Sequence, residues 1–81
     1  MIKQYTLKGE FAGTDACITI KRELEQYQGI EAVTARLNDE KTEMYLTVEY
    51  TSVAVGDFGG SARYILDRRL GIKCVFAEVV H

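Results

Sequence analysis

Apolar and polar positions follow a period of two in some stretches of the chain and a period near 3.6 in others. From Ile2 to Lys8, the positions Lys3, Tyr5 and Leu7 alternate with Ile2, Gln4 and Thr6, and the β-branched and aromatic content predicts a strand. Gly9 ends it, and residues 10–14 read as a short loop with Asp15 or Thr14 placed to cap a helix. From Ala16 to Gln28, the positions Cys17, Ile20, Leu24 and Tyr27 step by three and four, one stripe of a helix whose other side carries Lys21, Arg22, Glu23 and Glu25. Gly29 stands where a helix end favours a left-handed residue. Val33, Ala35 and Leu37, then Met44, Leu46, Val48 and Tyr50, return to the period of two on either side of the polar run Asn38-Asp39-Glu40-Lys41. Two alternating runs joined by a short polar turn predict an antiparallel hairpin with one buried face.

The second half is less regular. Gly56, Gly59 and Gly60 suggest a loop over residues 51–60, yet Val53, Val55 and Phe58 are too apolar for a freely solvated one. The segment reads either as an extension of the third strand or as an early start to a second helix. Ala62, Ile65, Leu66 and Leu70 mark that helix, which Gly71 ends. Ile72 to Val80 reads as a last strand whose run Cys74-Val75-Phe76-Ala77 suits burial on both faces or cover by a partner. Strand, helix, strand, strand, helix, strand is the order of an α+β ferredoxin-like βαββαβ sandwich: a four-stranded antiparallel sheet with two helices on one face. Right-handed crossovers then put the first strand at the centre, beside the third and fourth. Residues 9–15, the 38–41 turn and the 70–73 connection gather at one end of the sheet.

At 81 residues the chain is expected to form one domain, 1–81, with a thin core in which a deep catalytic pocket is hard to build. Ten basic against twelve acidic residues leave a net charge of −2. That is a small electrostatic footprint for nucleic acid, so no nucleic-acid partner is expected. No apolar run approaches the roughly 20 residues of a membrane span, and no signal-peptide pattern opens the chain. The expectation is a soluble, cytoplasmic, reduced protein without membrane insertion. Only one His is present, at position 81, and no Ser-His-Asp or Cys-His set can be assembled, so an enzyme is not expected.

The stretch from Leu7 to Tyr50 resembles the heavy-metal-associated domain of copper chaperones and metal-pumping ATPases. The resemblance rests on Leu7-Lys8-Gly9 as the strand end, Ile20 and Leu24 as the helix pair, Gln28-Gly29-Ile30-Glu31-Ala32-Val33 as the corner after the helix, and Val48-Glu49-Tyr50 as the third strand. These are core and turn positions, which speak to fold before activity. The family's CxxC metal motif is missing: its two positions fall on Gly13 and Ala16 counted back from Leu24, or on Ala12 and Asp15 counted forward from Gly9. Cys17 lies one position past the second expected ligand.

The resemblance implies a small metallochaperone-like, metal-handling protein with an altered site. Its ligands would be Cys17, Cys74 and Asp15, and its ion copper or zinc, held in shallow coordination that a partner could take over. The competing reading of the same cysteines is two packed thiols, because Cys17 lies on the apolar helix stripe and Cys74 alternates with Ile72 and Phe76. A disulfide is a third reading, disfavoured by a reducing compartment. The competing function is a non-metal protein–protein interaction or homodimerising module that pairs through its sheet edges. A small-molecule sensor with its pocket at a dimer interface is a further one. His81 reads as a solvated tail rather than a ligand. Gly56-Asp57-Phe58-Gly59-Gly60-Ser61 reads as an anion loop or, more plainly, as a helix cap supplied by Asp57 or Ser61. Arg68 and Arg69 complement a helix dipole or, with Lys73 and Lys41, form a basic rim for an acidic partner.

Overall fold

The computed structural model describes residues 1–51 and 57–80. The readings placed on Val53, Val55, Gly56 and His81 lie outside the described residues. Six elements follow in the expected order: β1 (Ile2–Gly9), α1 (Ala16–Leu24), β2 (Ile30–Leu37), β3 (Glu43–Tyr50), α2 (Phe58–Leu70) and β4 (Cys74–Glu78). The strands form one antiparallel sheet of order β2-β3-β1-β4, so β1 lies between β3 and β4 as the crossover rule requires. The architecture is the α+β, ferredoxin-like sandwich.

One face of that sheet makes the core. Tyr5 and Leu7 of β1, Val33 of β2, and Met44, Leu46, Val48 and Tyr50 of β3 are buried on it. Ala16, Ile20 and Leu24 of α1 cover them on the β2 side, and α2 packs with Ala62, Ile65 and Leu66 over β1 and β4. The alternation in β3 and the three-and-four steps in α1 thus point at each other, and their burial supplies the main driving force for the fold.

The end carrying the three connections is tied by backbone bonds. The amides of Gly9 and Phe11 donate to the carbonyls of Thr42 and Lys41, each at 3.0 Å, which docks the β1–α1 loop on the hairpin turn. Asn38 organises that turn: its Oδ1 accepts from the amides of Thr42 and Glu43 at 2.9 Å, and Lys41 takes a left-handed φ of 59°.

Two expectations are corrected and one left open is decided. Helix α1 stops at Leu24, because the amides of Gln26 and Tyr27 turn back to Glu23 and Leu24 in tighter three-residue steps, and residues 25–29 form a turn that ends on left-handed Gly29. Helix α2 takes the early start, at Phe58, with Asp57 as its cap and Phe58 turned inward beside Tyr50. Strand β4 is not buried on both faces: it is an edge strand, and Val75 is 62% exposed while Phe76 packs beneath α2.

Candidate interaction face

The residues singled out in the sequence fall on separate elements. Asp15 is the N-cap residue of α1 but makes no side-chain capping bond; Thr14 instead donates from Oγ1 to the Phe11 carbonyl at 2.7 Å. Cys17 is the second residue of α1, half-buried against the core over β2. Cys74 opens β4 opposite Gly9, at the loop end as expected. It lines a groove between α2 and β4 with Arg63, Tyr64, Asp67 and Lys73, to which neither Cys17 nor Asp15 contributes.

Both thiols are free. Burial pushes the Cys17 thiol above its ordinary pKa. Burial also raises the Cys74 thiol, with Asp67 adding to the rise and Arg63 opposing it. A thiolate is the species that ligates copper or zinc, and desolvation disfavours it at both positions. Among the described residues no three of His, Cys, Asp and Glu gather as a metal cluster. Asp15 and Cys17 thus lie at the start of α1 and Cys74 at the start of β4, and both half-buried thiols pack against the core.

The other charged and loop features are used within the fold. The Asp57 carboxylate accepts from the Gly60 amide at 3.0 Å, filling the place an anion would take at the start of α2. Arg69 pairs with Glu23 at 2.9 Å, Lys73 with Asp67 at 2.7 Å, and Arg68 lies over the Tyr64 ring at 5.7 Å. Each of these cations has a local partner, and each is on the surface, where such pairs contribute little to stability.

What remains is the sheet face opposite the helices. Strand register arranges its outward positions as a grid. Thr34, Thr47 and Gln4 form one row across β2, β3 and β1, which Val79 continues through its amide bond to the Gln4 carbonyl at 2.8 Å. Arg36, Tyr45, Thr6 and Ala77 form the next row across all four strands. Those two central rows contain a single charge, Arg36. The flanking rows hold Glu49 beside Ile2 at one end, and Glu43, Lys8 and Val75 at the other. Ile2 is 59% exposed, and Tyr45 and Val79 are each 39% exposed.

A shallow hollow of about 350 Å³ lies over the grid, between Gln4, Thr6, Thr34, Arg36, Tyr45 and Thr47. Tyr45 lines it and donates its hydroxyl hydrogen to Glu43 Oε2 at 3.1 Å along its own strand, and that bond chiefly raises the pKa of the phenol. Among the described residues no element covers this face. Exposed sheet faces in water ordinarily carry charged side chains; this one keeps its charges to the ends and to one edge.

The outward positions were visible in the sequence only as the polar half of each alternation. The available signal was their composition: in the two central rows, four threonines or glutamines, one tyrosine, two small or β-branched apolar residues and a single arginine, at positions where lysine and glutamate are usual. Comparison with protein-family models, with curated protein sequences and with solved structures finds no match to the chain.

Proposed function

We propose that the chain is a protein–protein association module that works through the uncovered face of its sheet. The observation that carries the reading is the pair of central rows, eight positions with one charge between them, on a face that both helices leave open. Interfaces differ from the rest of a surface chiefly in this way, by loss of charge from the centre and retention of it at the rim. Thr and Tyr there supply hydrogen-bonding groups and contact area with little side-chain entropy to lose, and Gln4 adds a further donor and acceptor. The half-buried thiols on separate elements favour this reading over metal handling, since among the described residues no three His, Cys, Asp or Glu side chains gather around an ion position.

The test is site-specific photocrosslinking in living cells, with a benzophenone amino acid at Thr47 or Thr6 on the face and, as control, at Arg22 on the exposed side of α1. The expected result is one defined adduct from both face positions and none from Arg22, with the adduct identified by its peptide masses. Equal yields from all three positions, or none from any, would overturn the reading.

A further inference from the structure

We infer that the occupant of this face is a second copy of the chain, related by a two-fold axis that runs along the strands above the seam between β3 and β1. The inference deepens the association reading and rests on it.

Charge placement selects the partner and the axis together. Across the seam at one end of the grid lie Glu43 of β3 and Lys8 of β1, directly paired, with the ammonium and carboxylate 4.0 Å apart. A two-fold along the seam exchanges β3 with β1, so Glu43 of each copy lies over Lys8 of the other. Two loose in-sheet pairs become a ring of four alternating charges. The same operation lays Tyr45 over Thr6 and Thr47 over Gln4 of the second copy, uncharged on uncharged. It lays Glu49 over Ile2, which adds no like-charge contact.

Turning the axis by a right angle would instead lay β3 on itself, end over end, with Glu43 against Glu49 and like charges facing. The face as a whole is neutral, Arg36 and Lys8 balancing Glu43 and Glu49, so self-association meets no net repulsion. Aligned sheets pack with their strands about 30° apart, and the four-carbon stem of Lys8 is long enough to absorb that offset at the end row.

The size suits a modest interface. Four strands about 4.8 Å apart, three of them 8 residues long at about 3.3 Å per residue, give a face on the order of 500 Å² per copy. That is below the roughly 800 Å² per partner of a standard-sized stable complex, as suits a weak to moderate dimer.

Analytical ultracentrifugation of the purified chain from about 1 μM to about 500 μM, a range that brackets weak to moderate association, tests this. The expected result is a monomer–dimer equilibrium. Thr47→Lys, at the centre, raises the dimer Kd at least roughly tenfold by burying a charge without a partner. Lys8→Glu and Glu43→Lys each raise it roughly three- to tenfold, because each puts like charges in apposition on both sides of the axis. An equimolar mixture of those two variants recovers parental affinity, since each then presents to the other the charge it lacks. Circular dichroism melts confirm that each variant is folded.

A dimer that weakens with Thr47→Lys but ignores the charge exchanges overturns the seam axis and leaves the face in use. A dimer indifferent to Thr47→Lys forms elsewhere and overturns the inference. A monomer throughout the range also overturns it, while the crosslinking result at Thr47 and Thr6 decides separately whether the face binds another protein.

Discussion

Gly59 is the position at which the packing of α2 on the sheet is most sharply tested. It is buried in the first turn of α2 and meets Phe76 of β4 and Tyr5 of β1. A methyl group added there would lie 2.7 Å from Phe76 Cε2, closer still to Phe76 Cδ2, and 2.8 Å from Tyr5 Cδ1. Carbon atoms in contact prefer about 3.5–4.0 Å, so two rings must withdraw by about 1 Å. Tyr5 is on a central strand and only 2% exposed, and has no room to do so. Phe76 is half-buried on the edge strand and can turn out, at the loss of its edge-on contact with Tyr5 at 6.3 Å and 70° and of its place under Arg63.

Overpacking of this kind costs about 1–3 kcal/mol, and a lost aromatic pair about 0.5–1.5 kcal/mol. Alanine returns about 0.5–1 kcal/mol in backbone entropy. The net expectation for Gly59→Ala is a loss of about 1–3 kcal/mol. For a chain of this length that is a fall in Tm of roughly 5–20 °C. Urea unfolding followed by circular dichroism should show a lower midpoint at an unchanged slope. Combining Gly59→Ala with Phe76→Ala should cost under the sum of the two, because removing the Phe76 ring removes the nearer clash and opens space into which Tyr5 can turn. A Gly59→Ala protein as stable as the parent, or strict additivity in the double variant, would refute the packing argument.

Other expectations concern single groups. Asp57→Ala removes the cap on α2 and should cost about 0.5–2 kcal/mol in urea unfolding; Asp57→Asn, which keeps the accepting oxygen, should recover most of it. Tyr5→Phe removes a buried hydroxyl that makes no well-aligned hydrogen bond, although the Phe58 and Gly59 backbone groups at the start of α2 lie close enough to act on it, and should change stability by at most about 1 kcal/mol; a larger loss would show that those groups bond the hydroxyl in solution. Burial raises the Cys17 and Cys74 thiols, so the unfolded chain ionises first as pH rises. Their contribution is complete below the ordinary thiol pKa of about 8.5 and is lost as pH climbs from there through the raised folded values; a urea midpoint that rises between pH 8 and 10 would contradict this. Because Cys17 and Asp15 contribute nothing to the groove that Cys74 lines, the reduced protein should not compete with a chromophoric chelator for Cu(I), and tight one-to-one binding abolished by Cys17→Ser and Cys74→Ser would overturn that expectation.

The fold was readable because its signals are local and periodic. The alternation from Met44 to Tyr50 and the steps Ile20 and Leu24 of α1 leave few arrangements that bury every apolar side chain, and handedness removes most of those. Boundaries were less readable, because they depend on long-range contacts. Nothing near Tyr27 announces that the helix ends three residues earlier, and Phe58 is helical because Tyr50 and the sheet lie beneath it. Strand β4 misled for a related reason. An apolar run reads as buried whether it lies at the centre of a sheet or at its edge, and only the strand order shows that Val75 faces water.

The candidate site was less legible than the fold, and the cause is the kind of signal a binding face emits. Cysteines attract notice one residue at a time, yet what decides their chemistry is solvation, which depends on neighbours distant in sequence. The grid emits no single-residue signal: Gln4, Thr6, Thr34, Tyr45 and Thr47 are each ordinary in a strand. Their meaning is collective and appears only when register places three strands side by side and the missing lysines and glutamates become a gap in the pattern of charge. The same register carries the argument about partners. Lys8 and Glu43 are 35 positions apart in the sequence, and neither says anything alone; paired across the seam they are self-complementary under one axis and opposed by a repulsive contact under another.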